Sequence, residues 1–408
     1  MQLPILRLVT QSNASVAVFF ILLSYLNSLK CIQQSRPRQT GTAIGSLASS
    51  AFRRTGRLVF PAAAVTILAW FACQLGAFQL ALYSDAYWLR TTSPEPSSTW
   101  VYAIRDLGQE LVATWLWFRN RYDQPQWALM FLLKGSLFVF MVLLVTVRTT
   151  PKFRAFVEFV LYAWSWSTGD FLVGTNVFAG MMLAELTLAD LPRVEHTVIK
   201  CVPYLSTTLA LFLMSFPDEY YDWAPWSRQL RKLASVLFPS QVQLGRAWPG
   251  IGAQILCYSI CFSHSLRQAL SKKFLLWLGG VSYSLYLLHG PLMRSVLAWL
   301  VFLPMAGSGE WVTPEDENYV AGEGNNYIPL PGWPAFPFIL PVFWAFLLLM
   351  VHLWSSKVEP KFAAVTIWFE NLALGKKMGG TDSEALLPTH RCEKVESFVE
   401  EKENRGSL

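Results

Sequence analysis

A polytopic bundle of transmembrane helices, all-α throughout, is the fold class this sequence predicts. Three observations predict it. Charged residues make up 15% of the 408 while 53% are hydrophobic, against ~25% charged in soluble domains. Apolar runs of spanning length recur along the chain, and one bilayer crossing needs ~20 such residues at ~1.5 Å rise each. Lysine and arginine gather in alternate loops, which marks those loops as cytoplasmic. The net charge of +6 sits in these short loops, so a nucleic-acid partner is not expected. The expectation is an integral, multi-pass protein of the lipid bilayer with about nine spans.

The first span is Val16 to Leu29. No small-residue cleavage site follows it and many spans come after, so it is an uncleaved helix rather than a signal peptide. The loop behind it holds Lys30, Arg36, Arg38, Arg53, Arg54 and Arg57 and no acid, which places it in the cytoplasm. The second span is Leu58 to Leu80, and the long mixed-charge segment 82–126 lies on the other side. Trp127 to Val147 is the third span, with Lys134 seven residues in, where a cation is costly unless it snorkels or finds a partner. Arg148, Lys152 and Arg154 form a second basic loop. Spans four to seven follow at Ala155–Trp166, Phe171–Leu186, Ile199–Phe216 and Gly250–Phe262. Glu185, near the end of the fifth, serves equally as a partner for a loop arginine or as a site residue. After the basic stretch His264 to Lys273 comes the eighth span, Phe274 to Leu303. An acidic loop, 304–333, and a ninth span, Phe336 to Trp354, lead to a juxtamembrane helix, Ser355 to Leu372. Residues 1–372 thus form the membrane domain. The tail, 373–408, is polar and poor in aromatics and reads as disordered and cytoplasmic.

The eighth span carries the chemistry. It holds one imidazole, His289, and one basic residue, Arg294, among apolar and small residues. Gly290-Pro291 is expected to break the helix directly after His289, since proline has no N–H to donate. An ionisable group beside such a break marks a functional site, and a kinked packing helix whose histidine bonds a neighbour is the competing reading. Arg54 and Arg57, three apart, share one helix face. They suit the phosphates of a cytosolic ligand, or the headgroups of anionic lipid. The six cysteines show no metal-ligand spacing, so no metal is expected. Cys257 and Cys261, four apart, read as packing residues.

Gly279, Ser282, Tyr283, Ser284, Leu285, Tyr286, Leu287, His289 and Pro291 spell G-x-x-S-Y-S-L-Y-L-x-H-x-P. This resembles a late-span signature of the integral-membrane acyltransferase family 3, and most of all its fungal members. The resemblance implies transfer of an acyl group, acetyl in the first instance, from acyl-CoA to a hydroxyl of a small-molecule, lipid or carbohydrate acceptor. Arg54 and Arg57 match the family's R-x-x-R pair, associated with the acyl-CoA donor, which favours phosphate binding over a topology role. Tyr122, Asp123, Pro125 and Trp127 lead into a stretch similar to the family's Y-x-P-x-x-W-T-x-P-V-E-F-R-G-S. Lys134 stands there for its arginine, while Leu132 replaces a glutamate of the polar centre. Phe19, Phe20, Leu22 and Tyr25 fit F-F-x-L-S-G-Y, with Leu23 and Ser24 in place of Ser-Gly. The expected site is therefore His289 and Lys134 for catalysis, Arg54 and Arg57 for the donor, and Tyr122, Trp127 and Tyr286 for substrate.

The family's first helix ends in a histidine that acts as general base, and this sequence has no counterpart to it. Acyl transfer to a hydroxyl needs such a base, which supplies ~10²–10⁴-fold. With Leu132 in place of the glutamate as well, the chain as written is expected to have little activity, and to be a truncated family member, a pseudoenzyme, or an enzyme that uses another base such as His289. A non-catalytic scaffold and a transporter with a broken helix at mid-membrane stay open at this point. The absence of an internal repeat weighs against the transporter.

Overall fold

The computed structural model describes residues 3–36, 40–189, 197–307 and 327–375, and they are all-helical. Most of the acidic loop 304–333, the tail from 376 and His196 and His390 lie outside them. The helices are α1 (Ser12–Ser35), α2 (Thr40–Gln74), α3 (Gln79–Leu82), α4 (Tyr87–Thr92), α5 (Trp100–Leu116), α6 (Trp127–Thr146), α7 (Pro151–Ser167), α8 (Gly174–Leu188) and α9 (Thr197–Met214). There follow α10 (Pro225–Leu237), α11 (Leu244–Phe262), α12 (His264–Leu270), α13 (Lys273–Gly280), α14 (Ser282–Leu292), α15 (Ala298–Ala306), α16 (Phe336–Leu353) and α17 (Glu359–Ala373). They form two compact units. The first takes the chain up to Arg54, Gly108–Asn120 and Gln124–Gly280; the second takes Thr55–Leu107, Arg121–Asp123 and the described chain from Val281 on.

In the first unit α1 is the hub, packed on α6, α8 and α11. Small residues at the seams let the helices approach closely. Gly180 of α8 shows this: a Cβ there would lie 1.9 Å from Ser24 Oγ and 2.4 Å from the Ile21 carbonyl oxygen of α1. Ala17, Ile21, Leu183, Ala253 and Cys257 fill the seam behind it, with Cys261 packed against them. Ser206 of α9 and Ser259 of α11 share a hydrogen bond of 2.7 Å. At one end, Phe171, Phe216, Phe238 and Trp248 make an aromatic cluster.

Inside the same unit, Arg154 of α7 donates to Glu185 of α8 and, at 2.9 Å, to Ser35 Oγ. Arg36 joins Glu185 at 3.3 Å. Arg154 is not the solvated loop charge the sequence suggests, because α7 begins at Pro151 and carries it inward to 1% exposure. Glu185 is the ion-pair partner of both Arg154 and Arg36. Glu158, one turn past Arg154 and fully buried, has neither carboxylate oxygen hydrogen-bonded among the described residues.

The second unit gathers the remainder of α2 with α3, α4 and α14 to α17. Ala298, Val301 and Phe302 of α15 pack on Ala81, Leu89 and Ile328. Phe60 stacks on Phe369 with ring centroids 5.8 Å apart, and Gly56 lets α17 approach so closely that a Cβ would meet Thr366 Cγ2 at 2.5 Å. The signature residues hold this unit together. Tyr283 donates to the Leu58 carbonyl at 2.9 Å, and Ser284 donates to Glu359.

Five described segments are long and apolar enough to cross a membrane: Ser12–Ser35, Gly41–Gln74, Gln124–Thr146, Ser282–Ala306 and Trp333–Ala373. They are compatible with membrane insertion. The other expected spans are also helical, but α7 and α8, with 17 and 15 residues, measure only ~25 and ~22 Å against a ~30 Å hydrocarbon core. Three expectations shift. The second helix starts well before Leu58, at Thr40, and ends at Gln74, where Gly76 turns the chain with φ +80°. The segment 82–126 contains the helices α4 and α5, and the stretch 217–247 between the sixth and seventh expected spans, rich in aromatics and mixed charges and expected as a loop, contains α10. The break expected after His289 is not there: α14 runs through Pro291 to Leu292 and passes into a π-helical turn, Met293–Leu297. A π-helical turn is a local widening of the α-helix, with each N–H reaching one residue further back.

Candidate functional site

Each unit places part of the predicted site. In the second, His289 is half-buried on α14. Its Nδ1 lies 2.7 Å from the Tyr286 carbonyl oxygen and 3.2 Å from that of Leu285. Carbonyl oxygens only accept, so Nδ1 carries the proton and Nε2 is left with its lone pair. The imidazole is thereby held in the tautomer a general base needs. Tyr286 serves it twice, through that carbonyl and through a ring centroid 5.9 Å from the imidazole.

Arg294, on the π-helical turn that follows, is fully buried and within electrostatic reach of His289. From sequence alone it stands out only as the one basic residue of the run Phe274 to Leu303. Nη1 donates to the Tyr122 carbonyl at 3.0 Å, and the guanidinium carbon lies 5.5 Å from the centre of the Trp88 ring. Asp123, also fully buried, is its acidic neighbour. Nε and Nη2 have no acceptor among the described residues. A desolvated cation with two unused donors is suited to developing negative charge. Two signals could have found it: its place five residues beyond His289, and the high cost of a lone cation within an apolar run. Tyr122 itself has no solvent exposure. Burial pushes its phenol up to about 12, so the group keeps its proton at neutral pH and contributes its carbonyl to Arg294.

Arg54 and Arg57 lie within α2, three residues apart, Arg54 half-buried and Arg57 exposed. Arg57 immediately precedes the Leu58 carbonyl that receives the Tyr283 phenol.

The first unit holds Trp127 and Lys134, both on α6. Leu132 between them is buried, with the apolar side chain where the resembling motif has a carboxylate. Lys134 is exposed at a cavity of about 340 Å³ that Arg246, Asp170, Gln241, Gln243 and Phe131 also line. Trp127 lies beside it, its ring centre 5.8 Å from the Arg246 guanidinium carbon.

Comparison with known proteins finds relatives at low identity. The chain is 24% identical over 325 residues to acyltransferase clz18 of Cochliobolus lunatus, covering 70% of this chain and 69% of that protein. It is 24% identical over 324 residues to acyltransferase R4 of Phoma sp. (strain ATCC 20986 / MF5453), with 70% and 69% covered. It is 23% identical over 338 residues to O-acetyltransferase PaAT-1 of Phomopsis amygdali, covering 72% of this chain and 65% of that protein. No family model and no solved structure matches the chain. The three relatives support an acyltransferase function.

Proposed function

We propose that this chain is a membrane-embedded O-acyltransferase of the family 3 type, with about nine crossings, that moves an acetyl or other acyl group from acyl-CoA to a hydroxyl. The acceptor is a small molecule, a lipid or a carbohydrate. The observation that carries the reading is the His289 ring, whose Nδ1–H is tied to the Tyr286 carbonyl. In the proposed reaction Nε2 removes the proton as the acceptor oxygen attacks the thioester carbonyl carbon. The carbonyl π electrons move to oxygen, and the unused donors of Arg294 stabilise that charge. The intermediate then collapses, the C–S bond breaks, and CoA leaves as a thiolate that takes the proton from His289. The products are an ester and CoA. Arg54 and Arg57 hold the donor's phosphates at the cytoplasmic face.

The experiment is a transfer assay in membranes that carry the chain, with labelled acetyl-CoA and a panel of hydroxyl acceptors. Label is expected in an alkali-labile ester. Folded protein that transfers none above control membranes would refute the reading.

A further inference from the structure

Two cations and two carboxamides converge on the cavity of the first unit, and the acid that lines it is occupied elsewhere. Asp170 sits at the start of α8, where one carboxylate oxygen accepts from the Val173 N–H at 3.1 Å and the other from the Gly174 N–H at 3.0 Å. It answers the helix N-terminus rather than a side chain. Neither Lys134 nor Arg246 has a carboxylate in ion-pair range among the described residues. Both rest near rings instead. Lys134 Nζ is 5.5 Å from the centre of Phe138, and Arg246 lies above Trp127. Rings hold a cation in place without neutralising it.

From this juxtaposition we infer that the cavity binds an oxyanion-bearing small molecule, with Lys134 and Arg246 as its charged contacts. Gln241 and Gln243 are placed to hydrogen-bond the polar remainder, and Phe131 supplies an apolar wall. About 340 Å³ admits a compact metabolite-sized ligand. A guanidinium and an ammonium together suit a carboxylate or a phosphate, the first by its planar fork and the second as a point charge. The same arrangement accounts for Lys134, the cation seven residues into α6. It lines the cavity beside Asp170, Gln241 and Gln243, which give its ammonium polar neighbours. This inference goes beyond acyl transfer and does not depend on it.

The test is isothermal titration of the purified full chain in detergent with citrate, with inorganic phosphate and with sorbitol, in the absence of acyl-CoA. Citrate or phosphate should bind saturably, and the tighter of the two identifies the oxyanion. Lys134→Gln and Arg246→Gln should each weaken that binding by at least ~10-fold, as expected for loss of one charge-assisted contact. The double variant should abolish it, while Lys134→Arg should retain it and His289→Gln should leave it unchanged. Circular dichroism and gel filtration establish that each variant is folded. The inference is overturned if neither anion binds the parent, if sorbitol competes equally with them, or if Lys134→Gln binds as the parent does.

Discussion

The Arg294 guanidinium donates to the backbone carbonyl of Tyr122 at 3.0 Å, and neither residue has any exposure to solvent. A carbonyl dipole satisfies one corner of the cation while two N–H groups stay unused. Taking a charge out of water is costly, and the proposed reaction gives a use for the donors that remain.

Arg294→Gln should therefore lower kcat by ~10²–10³, the loss typical of an oxyanion donor, with KM for acyl-CoA little changed. Steady-state kinetics in membranes reads the two apart. A rise in KM at constant kcat would make Arg294 a substrate-binding group instead.

Arg57→Ala should weaken acyl-CoA binding by at least ~10-fold, since a charge-assisted contact contributes ~1.5–3 kcal/mol. The Arg54→Ala, Arg57→Ala double variant should weaken it further. Equal affinity of parent and double variant would reduce the pair to a topology anchor.

Breaking the buried pair of the first unit should destabilise it strongly. Arg154→Ala leaves Glu185 with the partly exposed Arg36, and removal of one member of a buried pair costs about 3–5 kcal/mol. Replacing both Arg154 and Glu185 with apolar residues of similar size should recover much of that loss. Thermal unfolding in detergent measures both. A double variant no more stable than Arg154→Ala would contradict the account.

Gly180→Ala tests the seam between α1 and α8. Helix propensity alone favours alanine by ~1 kcal/mol, whereas overpacking costs about 1–3 kcal/mol. The added methyl meets a backbone carbonyl, Ile21 O, at 2.4 Å, which cannot turn aside as a side chain can. A lowered melting temperature is expected, and a raised one would show that the helices have room to part.

The helices were legible because their apolar runs stand out against a charge-poor chain. Their ends were less so. The residues from Thr40 to Arg57 read as a basic loop, since arginine count reports membrane side but not backbone conformation. α10 was hidden for a similar reason, its Arg228, Arg231 and Lys232 suggesting a polar loop while Leu230 and Ala234 are buried. At the site, His289 could be found from its motif and Lys134 from the cost of its position. Its tautomer could not, because that depends on where the Tyr286 carbonyl points. Arg294 and Arg154 share a further lesson: sequence shows a charge but not the carbonyl or carboxylate that makes its burial tolerable. The Lys134–Arg246 juxtaposition joins helices over a hundred residues apart in sequence, a distance no local pattern bridges.

The central claim is that His289 is the base of an acyl transfer, and His289→Gln tests it most directly. Glutamine keeps the size and polarity of the site but cannot take up the proton. Initial rates with labelled acetyl-CoA, measured in the same membranes at equal amounts of folded protein, should fall by ~10²–10⁴ relative to the parent, the usual contribution of a general base. Acyl-CoA binding should stay unchanged. Parent-like rates from the folded variant would contradict the account and show that His289 is not the base.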